Sequence, residues 1–415
     1  MTFGQAEDYL LSLELFGMRF GVDRMHKLMT VLGLPQRRFA SLHVVGTNGK
    51  SSTVRFLAAI LERHGLRSGS YTSPHLGSFR ERIEVGEEPV PKPAFAAAVA
   101  AAAHAAELVN RTAAPDDRVT QFEALTAAAY HELARSGVQV AVIEAGLGGR
   151  FDATNVIPSK VQVLTTVGLE HTRWLGPTVA DIAEEKLAVV RDHGTLVAGR
   201  LDPEARAIAE RVAREHHAAL VQPDLELPRA LRLRAGGSFQ RRNFALAAAA
   251  AEAFLERAPE REALAAAAAA TRIPGRLDVV AERPLVLHDG AHNPSGAHAL
   301  AESLDDTLGA RRPRVGVIAV LEDKDAAGML RALLAELDDV VFTRCRNPRS
   351  LPPATLASLS SQLGYRESTV IGEPQRALER ARELAGPGGS VLCTGSIYLI
   401  ADLVRADAAA RASTL

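Results

Sequence analysis

The chain has 415 residues, of which 47% are hydrophobic and 5% aromatic, and its formal net charge is −1 at pH 7. This length favours two domains that each bury a core. The balanced charge and sparse aromatic residues argue against nucleic acid as a partner, because nucleic-acid-binding surfaces are basic and often stack bases on aromatic rings. No run of 18 strongly apolar residues occurs, which argues against a membrane partner.

The amino-terminal stretch MTFGQAEDYL lacks the basic and apolar segments of an export signal, which predicts a cytoplasmic protein. The two cysteines, Cys345 and Cys393, are too few for a disulfide framework. Without clustered histidines they do not indicate a zinc site either. Any anionic ligand is therefore expected to be bound by local groups rather than by a global field.

Up to about residue 200, short β-branched runs alternate with amphipathic helical runs, a pattern typical of a parallel α/β sheet covered on both faces. The residues from 201 to 275 are predicted to be largely helical, with room for a short hairpin in the polar stretch 232–243. The predicted elements are strands at 42–45, 68–71, 138–143 and 161–166 and helices at 93–110, 119–135 and 179–191.

A second α/β series follows Pro274-Gly275-Arg276, where the composition shifts. Five strands separated by helices predict a smaller, Rossmann-like domain. We place the two domains at 1–279 and 280–415. The predicted strands of the second domain are 285–288, 314–320, 340–343, 368–371 and 390–393.

The segment 46–52 lies between an apolar strand and a helical run, the position of a phosphate-binding loop. Its backbone N–H groups and the positive helix end would bind an anion, while Lys50 would reach the terminal phosphates and a hydroxyl would bind Mg²⁺. Glycines at 46 and 49 allow close approach of the backbone. The common motif needs glycine where this chain has Val44, so the loop has the shorter Gly-Thr-Asn-Gly-Lys form. An ordinary glycine turn is the alternative interpretation.

Polar residues follow several predicted strands of the first domain. Glu144 ends one strand at the position of a second metal ligand in a nucleoside triphosphate site. Ser73 and His171 follow two other strands and would face the same crevice. The alternative interpretations are a Ser-Pro turn at Ser73 and a purely structural role for His171. Lys186 would then be an ordinary solvent-exposed helix lysine, and 79–83 a solvent-exposed charged strand.

Four polar turns follow strands of the second domain, at 289–294, 323–325, 347–349 and 394–396. Because these strands end at one edge of the predicted sheet, the turns form a second binding surface. Two such surfaces, one on each domain, predict catalysis in the cleft between the domains.

The motifs occur in this order: Gly-Thr-Asn-Gly-Lys at 46–50, Thr-Ser-Pro-His at 72–75, Arg-Glu-Arg-Ile at 80–83, Phe-Glu at 122–123, Glu-Ala-Gly-Leu-Gly-Gly-Arg-Phe-Asp-Ala-Thr-Asn at 144–155, His171, Pro-Gly-Arg at 274–276, Asp-Gly-Ala-His-Asn-Pro at 289–294, Asp-Lys-Asp at 323–325 and Thr-Gly-Ser at 394–396. Across nearly its whole length the chain resembles folylpolyglutamate synthases and dihydrofolate synthases, members of the Mur-type ATP-dependent amide ligase superfamily. The resemblance implies an α/β fold in which an N-terminal P-loop parallel-sheet ATPase domain is followed by a smaller Rossmann-like C-terminal domain.

The same resemblance implies roles for individual residues. The nucleotide contacts are Gly46, Thr47, Asn48, Gly49, Lys50, Ser51, Ser52, Asn243, Arg276 and Asp289. The ligands of one or two Mg²⁺ ions are Ser73, Glu144 and His171. The substrate contacts are His292 and Ser396 near the incoming glutamate and Arg82, Phe122 and Glu123 on the folate side. The catalytic residues are Lys50, Lys186 and His292, and Lys186 matches a carbamylated lysine of the family.

Two departures from the family pattern limit this transfer. The family usually has glycine at the position of Ser51, so Ser51 and Ser52 are both candidates for the hydroxyl at the phosphate loop. The family lysine is usually followed by Ala-Gly-Ile, whereas residues 187–189 here are Leu-Ala-Val. Carbamylation of Lys186 is therefore a hypothesis.

The resemblance implies that ATP phosphorylates a carboxylate and that the amine of L-glutamate attacks the acyl phosphate. The acceptor is dihydropteroate or the γ-carboxylate of a reduced folate, and the stretch 147–155 resembles that of bifunctional members. The enzyme is expected to be a monomer. The alternatives are folylpolyglutamate synthesis only, another Mur-type ligase, or a P-loop kinase or switch. A cell-wall Mur ligase carries a further domain before the loop, and we expect none in the 45 residues that precede Gly46.

Overall fold

The structure is a computed structural model that describes residues 1–13, 21–114, 116–365 and 368–405. In these residues the strands form two sheets, one of eight strands and one of six. The predicted fold class is confirmed, because each sheet is mainly parallel and carries helices. No helix in the described part of the chain is both long enough and apolar enough to cross a membrane.

The larger sheet has the strand order β4-β3-β2-β5-β1-β6-β7-β8. Its central strand β1 pairs in parallel with β5 and β6, so that Val44 lies opposite Glu144. The carboxyl ends of these three strands therefore share one edge. The strands are β1 (Ala40–Val45), β2 (Ser68–Tyr71), β3 (Ile83–Val85), β4 (Glu88–Pro89), β5 (Val140–Glu144), β6 (Val161–Leu164), β7 (Thr195–Ala198) and β8 (Ala219–Val221).

Helices cover both faces of this sheet, and each face has its own apolar cluster. One cluster contains the ring of Phe56, which meets Phe244 edge to face at 5.2 Å between centroids. This contact joins the helix after the phosphate loop to a long helix near the domain boundary. The helices are α1 (Phe3–Ser12), α2 (Asp23–Val31), α3 (Lys50–Arg63), α4 (Lys92–Asn110), α5 (Gln121–Arg135), α6 (Thr172–Leu175), α7 (Val179–Leu187), α8 (Pro203–Glu215), α9 (Ser238–Leu255) and α10 (Arg261–Ala270).

The smaller sheet has the order β13-β12-β11-β14-β10-β9. Among its described strand pairs, only β9 with β10 is antiparallel. Leu76 of the larger unit is buried in the same apolar cluster as Val286 and Leu399 of the smaller one, so the two units also share apolar contacts. The elements are β9 (Asp278–Glu282), β10 (Leu285–His288), α11 (Pro294–Leu308), β11 (Arg314–Ile318), α12 (Ala326–Leu333), β12 (Asp339–Phe342), α13 (Pro353–Gln362), β13 (Thr369–Val370), α14 (Pro374–Ala385), β14 (Ser390–Thr394) and α15 (Ile397–Val404).

Three features differ from the sequence-based expectation. The stretch 232–243 contains no hairpin, because α9 begins within it at Ser238. The charged segment 79–83 is not a solvated strand, since Phe79–Arg82 forms a 3₁₀ helix that buries Arg82. The second sheet begins at Asp278 with β9, a strand that extends across the predicted boundary between 279 and 280.

Candidate active site

The phosphate loop connects β1 to α3 and depends on glycine at two positions. Gly46 has φ of 148° and Gly49 has φ of 87°, backbone conformations that side chains rarely adopt. A Cβ atom at Gly49 would clash with the amide oxygen of Asn243 on α9. The predicted nucleotide contact Asn243 therefore lies directly against the loop.

The loop is bound to the segment that follows β6. The backbone N–H of Thr47 donates to the carbonyl of Thr166 at 2.8 Å, and that of Asn48 donates to the Thr166 hydroxyl at 3.0 Å. The hydroxyl of Thr165 donates to the carbonyl of Asn48 at 2.6 Å. These bonds fix the shape of the loop from one side, which leaves its backbone preorganised for an anion.

Two lysines meet at one carbonyl oxygen of the loop. The ammonium groups of Lys50 and Lys186 each donate to the carbonyl of Gly46 at 3.0 Å. Lys186 is 4% exposed, so it is not a solvated helix lysine. Burial, and secondly the charge of Lys50, lower the pKa of Lys186 to about 7.

Glu144 is buried and accepts hydrogen bonds from two segments, the phosphate loop and the turn after β2. Its Oε1 accepts from the Ser51 hydroxyl at 3.0 Å, and its Oε2 accepts from the Ser73 backbone N–H at 3.1 Å. Burial raises the pKa of Glu144, although the charge of Lys50 and these hydrogen bonds oppose the rise. Of the two candidate hydroxyls, Ser51 faces Glu144, while Ser52 is buried in α3.

These groups fit a magnesium ion that is bound together with phosphates. Mg²⁺ prefers oxygen ligands and is commonly held by one or two carboxylates plus substrate phosphates and water. Glu144 supplies a buried carboxylate and Ser51 a hydroxyl at the loop. In the described residues, no three or more His, Cys, Asp or Glu side chains are grouped to hold a metal by themselves. Glu144 and Ser51 are therefore the residues at the loop that could contribute oxygen ligands to such an ion.

His171 precedes the short helix α6 and adopts a left-handed conformation with φ of 51°. Partial burial, and secondly the charge of Lys324, lower the pKa of His171 to about 4, so the ring is neutral near pH 7. A neutral imidazole can act as a metal ligand. On α6, Trp174 is 39% exposed and the guanidinium of Arg173 lies over its ring.

Glu170 connects this region to the second domain. Its Oε1 lies 2.9 Å from Nε2 of His292 and 3.2 Å from Nζ of Lys324. Burial alone would raise the pKa of Glu170, but His292 and Lys324 outweigh it and hold that pKa well below its usual range. No role was predicted for Glu170 or Lys324 from the sequence, although both follow strands that end at the binding edges.

A second polar contact joins the phosphate loop to the turn after β10. The side-chain amides of Asn48 and Asn293 donate to each other's oxygens at 3.2 and 3.1 Å, and Asn48 also donates to the Ser295 hydroxyl at 2.9 Å. Asn293 in turn caps α11 by accepting from the N–H of Gly296. The loop is thus in direct contact with the turn that carries His292.

Arg276 and Asp289 lie at the connection between the domains. The carboxylate of Asp289 accepts from the N–H groups of Leu277 and Ala291, both at 2.8 Å. Burial raises the pKa of Asp289, while the charge of Arg276 opposes the rise. A Cβ atom at Gly290 would clash with the Arg276 guanidinium, which therefore packs on this turn.

Two residues predicted to contact the folate, Arg82 and Phe122, pack against aromatic rings. Arg82 is fully buried, donates to Nδ1 of His75 at 3.0 Å and lies over the ring of Phe79. Phe122 stacks on Tyr71 with 6.1 Å between ring centroids.

Two further predicted substrate residues make structural contacts. Glu123 closes a capping box with Thr120 and pairs with Nε of Arg24 at 2.9 Å. Ser396 caps α15 by accepting from the N–H of Tyr398. The substrate roles of Glu123 and Ser396 stay predictions.

Comparisons with known proteins show which family the chain resembles. Residues 275–397 match the family model described as Mur ligase, glutamate ligase domain. The folylpolyglutamate synthase of Lacticaseibacillus casei is 34% identical over 96% of this chain and 97% of its own length. The dihydrofolate synthase/folylpolyglutamate synthase of Bacillus subtilis is 33% identical over 94% of this chain and 95% of its own.

The chain belongs to the folylpolyglutamate synthase and dihydrofolate synthase family. The predicted resemblance and enzyme class, an ATP-dependent ligase, are confirmed. The chain also matches a probable bifunctional folylpolyglutamate synthase/dihydropteroate synthase of Haloferax volcanii at 33% identity, and it spans half the length of that relative.

Solved structures of the family superpose on nearly the whole chain. Mycobacterium tuberculosis folylpolyglutamate synthase complexed with ADP and AMPPCP has a TM-score of 0.89 and 32% identity, with 97% of each chain covered. Escherichia coli FolC in complex with DHPP and ADP has a TM-score of 0.86 and 29% identity, again with 97% of each chain covered. The family fold thus includes the region of the phosphate loop.

Proposed function

We propose that this chain joins L-glutamate to dihydropteroate and to the γ-carboxylate of reduced folates, using ATP. The observation that carries this proposal is that the phosphate loop contacts both Glu144, through Ser51, and the second-domain turn that carries His292, through Asn48. The relatives named for both activities, and the neighbour solved with DHPP and ADP, support the choice of substrates.

The first step converts a carboxylate into an acyl phosphate. A carboxylate oxygen attacks the γ-phosphorus of ATP, the bond to the β-phosphate oxygen breaks, and ADP leaves. The loop N–H groups that do not bind Thr166, together with Lys50, bind the phosphates and balance their charge. A bound Mg²⁺ would supply further charge neutralisation, held by Glu144 with Ser51, Ser73 and His171 as the other candidate ligands.

The second step forms the amide. The free amine of L-glutamate attacks the acyl carbon, inorganic phosphate leaves and the amine loses a proton. His292 and Lys324 lie on the second-domain side of the contact with Glu170, where we place the incoming glutamate. Lys324 has N–H donors beyond the one that it gives to Glu170, and these can stabilise negative charge. Docked domains would exclude water and protect the acyl phosphate from hydrolysis.

We also propose that Lys186 is carbamylated in the active enzyme. The neutral amine adds to CO₂, forms an N–C bond and releases one proton. The buried position of Lys186 supports this, because its lowered pKa of about 7 supplies neutral amine near physiological pH. The carbamate would place a negative charge beside Lys50 and a further oxygen near the metal. A Lys186→Ala enzyme with unaltered rate and Mg²⁺ dependence would refute it.

The function is tested by measuring ADP release and ligated product side by side with dihydropteroate and with tetrahydrofolate. We expect ADP only when ATP, L-glutamate and a pterin carboxylate are all present, and product from both acceptors. Product from tetrahydrofolate alone would indicate folylpolyglutamate synthesis only. ATP turnover without either substrate, and without product, would favour a P-loop kinase or switch. A monomeric state and a cytoplasmic location remain predictions from the sequence.

A further inference from the structure

We infer that Glu170 is a positioning residue that orients His292 when the two domains are docked. This inference rests on the proposed function, in which His292 lies beside the incoming glutamate. Glu170 follows β6 of the first domain, and its side chain is 8% exposed. Two of its neighbours, His292 and Lys324, come from the second domain, on the turns after β10 and β11, while Nε2 of His171 in the first domain lies farther away at 3.7 Å.

The imidazole of His292 is anchored at both ring nitrogens. Nδ1 lies 2.8 Å from the carbonyl of Gly290, a contact within the same turn. Nε2 lies 2.9 Å from Oε1 of Glu170. The first anchor is local and persists whatever the position of the domains. The second anchor exists only when the first domain is docked, so Glu170 sets the direction of Nε2 in the docked state.

Lys324 holds the Glu170 carboxylate in place. Its Nζ binds the same oxygen at 3.2 Å, and its side chain is 10% exposed. A carboxylate fixed by the Lys324 ammonium offers His292 one defined acceptor position instead of several rotamers. The ion pair of Lys324 and Glu170 also compensates the cost of burying both charges. Burial of either charge without the other would be unfavourable.

The segment that carries Glu170 also contacts the phosphate loop. Thr165 and Thr166 bind the backbone of Asn48 at the start of this segment, and Glu170 binds the second domain near its end. Asn48 itself pairs with Asn293, next to His292. The phosphate loop and His292 are therefore linked through two contiguous sets of contacts.

The kinetic test compares Glu170→Gln, Glu170→Asp and Asp192→Asn with the wild type. Glutamine keeps the size but loses the charge, and aspartate keeps the charge. Asp192 is a matched control, because it pairs with His216 at 2.6 Å on the surface of the first domain. We expect Glu170→Gln to lower kcat by about 10- to 100-fold, since misplacing a reacting group by about 1 Å can cost about 100-fold. Aspartate should recover part of this loss, and Asp192→Asn should match the wild type.

A double variant separates positioning from simple stabilisation. If Glu170 acts through His292, Glu170→Gln should change kcat little when introduced into a His292→Gln enzyme. Independent, multiplicative losses would overturn the inference, as would a Glu170→Gln enzyme within about twofold of the wild type. A loss of kcat matched by an equal loss of folded protein would overturn it too.

A scattering measurement tests docking without any ligation. We expect the radius of gyration of Glu170→Gln, measured by small-angle X-ray scattering with saturating ADP and Mg²⁺, to exceed that of the wild type and of Asp192→Asn. Identical radii would overturn the docking part of the inference. A wild-type enzyme that makes no product would instead refute the proposed function, and the scattering result would still decide the role of Glu170 in docking.

Discussion

At the scale of single residues, the carbonyl oxygen of Gly46 brings the side chains of Lys50 and Lys186 together. One oxygen cannot fully compensate two adjacent ammonium groups, and Lys186 is buried as well. The arrangement therefore favours loss of the positive charge at Lys186. This makes Lys186 a residue whose protonation state should be visible in the stability of the protein.

We predict that Lys186→Met will flatten the dependence of stability on pH between about 7 and 9. Unfolded Lys186 keeps its proton up to its ordinary pKa, whereas the folded protein releases it near pH 7, so the unfolded state binds more protons in this range. Stability of the wild type should therefore rise with pH, by at most about 1.4 kcal/mol per unit relative to the variant. Urea unfolding in bicarbonate-free buffer measures this, and parallel curves would contradict it.

Ser51 is a second residue whose contacts lead to a prediction. Its hydroxyl is one of the donors to the buried Glu144 carboxylate, and a hydrogen bond to a charged group contributes about 1.5–3 kcal/mol. We expect Ser51→Ala to raise the Mg²⁺ concentration for half-maximal activity roughly tenfold. Ser52→Ala is the control, since Ser52 is buried in α3 and should mainly affect stability. A Mg²⁺ dependence of Ser51→Ala equal to that of the wild type would show that Ser51 does not contribute to metal binding.

At the scale of elements, the turn from β1 into α3 tolerates little change at Gly49. We expect Gly49→Ala to weaken ADP binding, because its Cβ would displace Asn243. Gly65→Ala is a matched control: Gly65 has a similar φ of 79° but no atom within 4 Å of the added Cβ. Both variants should lose about 1–2 kcal/mol of stability from the left-handed backbone. Calorimetric titration with ADP and urea unfolding separate the two effects, and equal ADP affinities would refute the role of Asn243.

Elements with strong local signals could be predicted from the sequence. The strands β2 and β10 were placed at their observed bounds, because each is a short buried run that ends at polar turn residues. The strands β3, β4, β7, β8 and β9 have no counterpart among the predicted strands. β8 has three residues and β9 exposes Val279 and Val280, so neither gives the apolar pattern of a buried strand. Their pairing depends on neighbouring strands that are distant in sequence.

At the scale of the whole molecule, the candidate site depends on how the two sheets face each other. The order of motifs predicted that Lys50, Glu144 and His171 share one edge, since parallel strands end together. The pairing of Glu170 with His292 and Lys324 could not be predicted in the same way. Glu170 is 122 residues from His292 and 154 residues from Lys324 in the sequence. Only the relative orientation of the domains brings these side chains together.

The exposed Trp174 on α6 has a practical consequence. It is the single tryptophan of the chain and lies three residues after the candidate metal ligand His171. Its intrinsic fluorescence, excited selectively over tyrosine, therefore originates from one known position, on the short helix that follows His171. Emission intensity and quenching by iodide would then report events around α6 alone. The enzyme thus carries a native optical probe, and ligand binding can be followed at this site without a label or an engineered residue.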